Sequence, residues 1–217
     1  MKLSKRLLSL AKYVEYEDHV ADIGCDHALL DIYLINNNIV PHILISDVNE
    51  NALNAGISNI KRFNLTDRID TSLAFGLEKI TSDIDTLIIS GMGASTICKI
   101  LDDSRLLQIR KLIIQSNNDH FTIRKFLTTR NFYIGEEEFI EDNNKPYINI
   151  IFMKGNASYS MRELKYGPIF INSHNNNYFD YLIRVKNNIL NKIPKSKVII
   201  RFKIKKELKL LNKLKKK

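Results

Sequence analysis

Two short segments carry carboxylates, the first together with a glycine, at a spacing that suits the binding of a nucleoside. In the first, Ala21-Asp-Ile-Gly-Cys-Asp-His-Ala28, Asp22 and Gly24 follow an apolar run. Gly24 lets a ligand approach the backbone closely, and Asp22 can either fix the loop or accept a ligand amine. In the second, Asp47 follows another apolar run, where a carboxylate can bind both hydroxyls of a ribose. Alternatively, Asp22 and Asp47 are helix caps at two strand-to-helix turns.

The first loop departs from the G-x-G-x-x-G fingerprint of dinucleotide-binding proteins. Asp26 stands at the position of the second glycine, and Leu29 at the position of the third. A carboxylate at the second position would oppose a pyrophosphate but would tolerate a methionine ammonium. S-adenosylmethionine is therefore favoured over NAD as the ligand, and an NAD-dependent dehydrogenase is a poor match.

Alternating strands and helices are predicted to position these loops at one edge of a sheet. Apolar runs predict five strands, at residues 19–24, 42–46, 68–73, 85–90 and 111–115. Helices are predicted at residues 28–35, after the N-cap residue Asn49, and through residues 123–127. Two more strands, at 132–134 and 147–152, are predicted to be antiparallel and separated by the acidic residues 136–142. This order predicts an α/β fold, the class I (Rossmann-like) methyltransferase type with a seven-strand sheet.

The charge of the 217-residue chain, +9 in total, is unevenly distributed. Residues 1–154 contain 17 Lys and Arg against 21 Asp and Glu, whereas residues 155–217 contain 16 against 3. We therefore predict two domains with these bounds. The asymmetry indicates a polyanionic partner, with nucleic acid favoured over an anionic membrane. An AT-rich genome would explain many lysines, but not their concentration in one segment.

Residues 155–217 are predicted to form a small all-α domain. Apolar residues recur at helical spacing on both sides of Pro194, at Tyr178, Leu182, Val185, Ile189 and Ile193 and at Ile200, Ile204, Leu208, Leu211 and Leu214. This pattern predicts a helical hairpin, similar to a coiled coil, in which each helix covers the apolar stripe of the other. The alternative, a hairpin that merely keeps the protein in solution, would use paired charges, and Glu207 is nearly alone among the cations.

Several classes of protein do not fit the composition. There is no run of about 18 uncharged apolar residues, so we predict no transmembrane helix. Lys12, Glu15 and Glu17 interrupt the apolar stretch near the N-terminus, which is not expected to be a signal peptide. Cys25 and Cys98 are too few for a disulfide framework or a metal cluster. We therefore predict no metal site and a cytoplasmic location.

Five short segments, spread over most of the chain, match the motifs of one enzyme family. They are Leu3-Ser-Lys-Arg-Leu7, the first loop Ala21 to Ala28, Gly91-Met-Gly93, Leu112-Ile-Ile-Gln-Ser-Asn117 with Ile123-Arg124, and Tyr166-Gly-Pro168. With them the chain resembles the bacterial tRNA (adenine(22)-N(1))-methyltransferases of the TrmK type. The resemblance implies S-adenosylmethionine as methyl donor, S-adenosylhomocysteine as product, and a C-terminal domain that helps to hold tRNA.

The resemblance also implies which residues form the donor site. They are Asp22, Gly24, Cys25, Asp47, Val48, Ala74, Phe75, Gly76, Gly91 and Met92. Ala74-Phe-Gly-Leu77 replaces a Gly-Asp-Gly-Leu segment of the family, so the carboxylate expected to contact the donor's adenine is absent. Phe75 would instead stack on that adenine or form a wall for it. Gln115-Ser-Asn117 replaces Gln-Pro-Asn, which relaxes a rigid turn.

Asp26, His27 and Asn117 are the candidate catalytic residues. Adenine N1 has a free lone pair at neutral pH, so methyl transfer requires chiefly that N1 be aligned with the methyl carbon. Positive charge then develops on the ring, and Asp26 could stabilise it or accept the N6 proton. His27 would be a second acid–base group or a support, and Asn117 would hydrogen-bond the base edge. Tyr33 and Tyr147 are available for stacking on the exposed base.

Binding of tRNA is predicted to be electrostatic and to depend on RNA shape and on the displayed base. The candidate residues are Lys5, Arg6, Lys195, Lys197, Arg201, Lys203, Lys205 and Lys206. We expect a monomer without an obligate protein partner and without membrane contact. Two rival functions remain: another class I methyltransferase acting on RNA or protein, and a non-catalytic RNA-binding protein whose donor site has decayed.

Overall fold

The computed structural model describes residues 3–216 and separates into two compact units between Ser158 and Tyr159. The boundary predicted from the charge distribution, 154/155, falls at the last residue of the final strand. Within residues 3–216, no helix is long and apolar enough to cross a membrane.

A seven-strand sheet forms the centre of the first unit. Its strands are β1 (Val20–Ile23), β2 (Ile43–Asp47), β3 (Ile69–Leu73), β4 (Thr86–Met92), β5 (Lys111–Ser116), β6 (Phe132–Asp142) and β7 (Lys145–Lys154). They lie in the order β3-β2-β1-β4-β5-β7-β6. β1 to β5 are parallel, and β7 is antiparallel to both β5 and β6. The predicted class I methyltransferase sheet is confirmed.

Five α-helices and a short 3₁₀ helix (Ser104–Leu107) lie in the described part of this unit, residues 3–158, and precede or connect the strands. The α-helices are α1 (Lys5–Ala11), α2 (Leu29–Asn36), α3 (Glu50–Arg62), α4 (Ala94–Leu101) and α5 (His120–Thr128). Every residue of β5 is buried, and its consecutive apolar residues 112–114 suit a strand in a sheet covered on both faces. Asn49 begins α3 as predicted, because its side-chain oxygen accepts hydrogen bonds from the backbone of Asn51 and Ala52.

The prediction that residues 136–142 separate two strands is wrong, because this acidic segment belongs to β6. β6 pairs with β7 on both sides of a register shift at Gly135. The strands are joined by Asn143 and Asn144, whose φ angles of 50° and 60° suit a two-residue hairpin turn. The charge of Glu137 is compensated inside the domain, since Arg124 Nε donates to its Oε1 at 2.7 Å in a buried ion pair.

Four helices form the second unit: α6 (Met161–Tyr166), α7 (Pro168–Asn172), α8 (Asn176–Lys192) and α9 (Val198–Lys215). α8 and α9 pack on each other, so the predicted helical hairpin is confirmed. Residues 162–168, which precede the hairpin, are largely helical as well. Ser160 and Glu163 form a capping box at the start of α6, and Pro168 is the first residue of α7.

The hairpin is well packed at the end remote from its turn and open at the turn itself. At the packed end, the ring of Tyr178 stacks on that of Phe170 with centroids 4.1 Å apart. Near the turn, Phe202 is 66% exposed and Ile200 is 48% exposed. The prediction that each helix covers the apolar stripe of the other is therefore wrong for the part of α9 next to the turn.

Candidate active site

A cavity of about 510 Å³ lies at the carboxyl ends of β1, β2 and β4, where the strand pattern predicted a ligand site. The predicted residues that line it are Arg6, Asp22, Gly24, Cys25, Asp26, His27, Asp47, Gly91, Met92 and Asn117. The other lining residues are Leu7, Leu29, Leu30, Ser90 and Tyr147. The predicted donor residues outside this lining are Val48, Ala74, Phe75 and Gly76.

The loop after β1 turns sharply because Gly24 and Asp26 both have positive φ angles, of 82° and 49°. The Gly24 N–H donates to the carbonyl oxygen of Ser46 at 2.7 Å, which ties the loop to β2. A Cβ atom on Gly24 would lie 1.9 Å from Cε of Met92. The backbone conformation favours glycine here, and any larger residue would in addition have to displace the end of the Met92 side chain.

Asp22 lines the cavity although it is only 4% exposed, and the fully buried Asp31 of α2 faces it. Oδ1 of Asp22 and both carboxyl oxygens of Asp31 have no hydrogen-bond partner among residues 3–216. Burial and the neighbouring Asp31 raise the pKa of Asp22 well above its usual range. The sequence analysis missed Asp31, although an acidic residue within the otherwise apolar start of α2 was a sign that could have revealed it.

Asp47, at the end of β2, lines the same cavity. Its Oδ1 accepts a hydrogen bond from the Asn49 N–H at 2.8 Å, so this side chain also fixes the turn into α3. Its carbonyl oxygen accepts from the Ala74 N–H at 3.1 Å, which holds the loop after β3 beside it. Phe75 in that loop is 46% exposed. Asp47 thus stabilises the turn and borders the cavity at the same time.

Asp26 and His27 line the cavity with largely exposed side chains. Nε2 of His27 lies 3.6 Å from Oδ1 of Asp26. Neither group is held in the core, so both remain accessible to a substrate. The structure therefore brings these two candidate catalytic residues together.

Asn117 is the third candidate catalytic residue, and it holds the turn at the end of β4. Its Nδ2 donates to the carbonyl oxygen of Gly91 at 2.6 Å, and its backbone N–H donates to that of Met92 at 2.8 Å. The Gly91 N–H in turn donates to Oε1 of Gln115 at 3.2 Å. β5 therefore fixes the cavity wall that Gly91 and Met92 form.

Arg6 lies in the cavity wall, next to the residues of the β4 turn. Its Nη1 donates to Oε1 of Gln115 at 3.0 Å, and its guanidinium carbon is 5.6 Å from the ring centre of Tyr147. Lys5, predicted together with Arg6, is exposed and lies outside the lining. Tyr147 is available for stacking on a base, whereas Tyr33 packs against the hydrophobic core.

The hairpin residues predicted to contact tRNA lie in the second unit. The exposed ones are Lys195, Lys197, Lys203, Lys205 and Lys206. Arg201 is half-buried, and its Nη1 donates to the carbonyl oxygens of Leu190 and Ile193 at 2.8 and 2.7 Å. The guanidinium of Arg201 therefore stabilises the end of α8.

The sheet order and the cavity lined by Asp22, Gly24 and Asp47 define a class I methyltransferase domain. The family model described as "Methyltransferase domain" matches residues 3–151. Among residues 3–216, no group of His, Cys, Asp or Glu side chains is arranged to hold a metal ion.

Comparison with known proteins specifies the family further. A solved structure of TrmK from Mycoplasma capricolum, in complex with S-adenosylhomocysteine, is 32% identical, covers 98% of this chain and 97% of its own, and has a TM-score of 0.81. The tRNA (adenine(22)-N(1))-methyltransferase of Bacillus subtilis is 28% identical over 78% of this chain and 73% of the relative. A Streptococcus agalactiae structure of the NADB-Rossmann superfamily is 28% identical, with a TM-score of 0.89 and coverage of 100% and 98%. The chain therefore belongs to the TrmK family of methyltransferases.

Proposed function

We propose that this protein transfers the methyl group of S-adenosylmethionine to N1 of an adenine in tRNA. The observation that carries the proposal is the shared cavity, in which residues suited to the donor and residues suited to a base line one space. The B. subtilis relative is described as a tRNA (adenine(22)-N(1))-methyltransferase, and the M. capricolum TrmK was solved with the cofactor product. Adenine 22 is accordingly the expected target.

The residues at the ends of β1 and β2 fit S-adenosylmethionine, which supplies an electrophilic methyl group on sulfur. The unpaired Oδ1 of Asp22 suits the ammonium of the methionine part. Gly24 leaves its backbone open to close approach, and Asp47 suits the two ribose hydroxyls. Phe75, exposed beside Asp47, would pack on the adenine of the donor.

The residues around the β4 turn suit the target base. Tyr147 offers a stacking surface, and the turn held by Asn117 lets the base approach the donor. Alignment of N1 with the methyl carbon is the main contribution of such a site. The exposed carboxylate of Asp26 stabilises the positive charge that develops on the ring and accepts the N6 proton, and His27 supports it.

The lysines of the hairpin would bind tRNA through its phosphates. Each exposed lysine on α9 or at its start adds positive charge but makes no base-specific contact. The affinity for tRNA should therefore fall steeply as the salt concentration rises. The target base must leave its stack before reaction, at a cost of a few kcal/mol. A tRNA substrate supports a cytoplasmic location. One copy of the chain contains every residue named for the reaction, which supports a monomer without an obligate protein partner.

The test is methyl transfer from labelled S-adenosylmethionine to unmodified tRNA, followed by nucleoside analysis. We expect labelled N1-methyladenosine, and a loss of about 10²–10⁴-fold in rate for Asp26→Asn, the range ascribed to a positioned acid–base group. Asp67→Asn is the matched control, because Asp67 is exposed and lies outside the cavity lining. Donor binding without transfer to any tRNA would point to another RNA or protein substrate. Failure to bind the donor at all would leave an RNA-binding protein with a decayed site.

A further inference from the structure

Two carboxyl groups are buried side by side beneath the donor cavity, and the proposed reaction assigns a role to one of them. Asp22 of β1 lines the cavity, whereas Asp31 of α2 is 0% exposed and does not line it. The two carboxyl groups are within hydrogen-bonding reach of each other. A buried acid without a role in binding or packing is costly to retain, so Asp31 requires an explanation.

The hydrogen bonding of the pair is incomplete unless it holds a proton. Three of its four oxygens, Oδ1 of Asp22 and both oxygens of Asp31, have no partner among residues 3–216. Two ionised carboxylates in this position would repel each other, and the one donor that favours ionisation is a backbone group of Asp31, which does not offset burial. One proton shared between them removes one charge and supplies one donor, as in other buried carboxyl pairs.

The surrounding groups act on the pair in opposite directions. Asp47 at the end of β2 adds negative charge and further disfavours ionisation of Asp22, whereas Arg6 of α1 favours it. The nearby thiol of Cys25 remains neutral, because burial and these acids raise its pKa. Burial raises the pKa of Asp31 to about 7. The pair therefore keeps one proton at neutral pH and takes up a second below about pH 7.

We propose that Asp31 is a positioning residue for the donor site, which holds the shared proton while Asp22 binds the donor's ammonium as a carboxylate. In this step the O–H bond of Asp22 breaks and an O–H bond on Asp31 forms, so no proton needs to reach solvent. The protonated Asp31 then donates its hydrogen bond to Asp22 and orients it. The inference rests on the proposed function, since it takes S-adenosylmethionine or its product as the ligand.

The pH dependence of donor binding follows from the number of protons that the carboxyl groups of Asp22 and Asp31 hold together. Below about pH 7 the pair holds two protons, and one must leave before Asp22 can face an ammonium. Affinity should therefore fall about tenfold for each pH unit below 7. Above 7 the pair already has one proton, and affinity should be independent of pH.

The experiment measures binding of S-adenosylhomocysteine by calorimetry between pH 5.5 and 7.5, with two buffers of different ionisation enthalpy to count released protons. We expect release of nearly one proton per ligand at pH 6 and of much less than one proton per ligand at pH 7.5. Asp31→Asn keeps a hydrogen-bond donor and should bind within threefold of the wild type at pH 7.5. Asp31→Leu has similar volume but no donor, and should bind at least tenfold more weakly. Thermal unfolding establishes that both variants are folded.

Three results would overturn the inference. They are wild-type affinity that does not change with pH, unchanged binding by Asp31→Leu, and equal weakening by Asp31→Asn and Asp31→Leu. The last would mean that the negative charge of Asp31 matters and not its proton. If the wild-type protein binds neither S-adenosylmethionine nor S-adenosylhomocysteine at any pH, the proposed function itself fails, and this outcome is distinct from the other three.

Discussion

Arg6 of α1 and Gln115 of β5 are joined by a hydrogen bond of 3.0 Å across 109 positions of sequence. The same Oε1 of Gln115 accepts the N–H of Gly91, so one buried oxygen connects the first helix to the turn after β4. The N-terminal helix thereby contributes to the wall of the candidate site through Arg6, a residue predicted from the sequence to contact tRNA.

Replacement of Gln115 by Leu should lower the free energy of unfolding, and it should also lower the rate of methyl transfer per folded molecule. The loss of the acceptor leaves Arg6 and the Gly91 N–H without this partner, at a cost of about 1–3 kcal/mol. Gln108→Leu is the matched control, because Gln108 donates to the carbonyl oxygens of Thr81 and Ile84 away from the cavity. Both variants should lose stability in urea unfolding, and equal methylation rates per folded molecule would contradict the prediction.

Gly24→Ala should lower the stability of the protein and weaken donor binding. The φ angle of 82° is costly for alanine, by about 1–2 kcal/mol, and the added methyl group would collide with Cε of Met92. The double variant Gly24→Ala/Met92→Ala removes the collision but keeps the backbone strain, so it should recover stability in part. A double-mutant cycle by denaturant unfolding measures this coupling, and additive effects would count against a direct clash.

Neutralising Lys203, Lys205 and Lys206 together, by substitution with Gln, should weaken tRNA binding without affecting the donor site. Each lost phosphate contact should also reduce the slope of log affinity against log salt by about 1. Lys99→Gln provides a single-charge control in the methyltransferase unit. Filter binding over a salt series gives the slope, and a slope equal to that of the wild type would exclude these lysines from the RNA contact.

Glu207 should make the stability of the hairpin unit depend on acid pH. Burial opposes its ionisation, but hydrogen bonds from Lys165, Lys186 and Tyr166 outweigh burial and lower its pKa to about 2. Because the folded pKa is depressed, the stabilisation is present above pH 4.5 and is lost as the pH falls towards 2. Thermal unfolding of the wild type and Glu207→Gln across this range should converge at low pH.

The strands and the donor loop were predictable because their determinants are local. Buried parallel strands give continuous apolar runs, and Gly24 and Asp47 stand directly at the ends of two of them. The N-cap at Asn49 and the break between the two hairpin helices at Pro194 also depend only on neighbouring residues. Each of these features depends on residues within one turn or one strand of each other.

Features that depend on distant partners were missed. The acidic segment of β6 is stable as a strand because Arg124 neutralises Glu137 and because β7 follows a turn of two asparagines. The role proposed for Asp31 depends on its interaction with Asp22, which belongs to a different element of the fold. Local periodicity carries no information about such pairs, so only the folded structure reveals them.

The acidic composition of β6 has a consequence for the behaviour of the protein at high concentration. β6 is eleven residues long and is the terminal strand of the sheet formed by residues 3–216, and a long strand at the edge of a sheet is a template for association with other chains. The exposed carboxylates of Glu136 and Glu141 would meet like charges if a second copy aligned along this edge, whereas Glu137 is already compensated inside the domain by Arg124. The acidic residues that made this strand hard to predict are therefore expected to disfavour pairing of two copies along this edge.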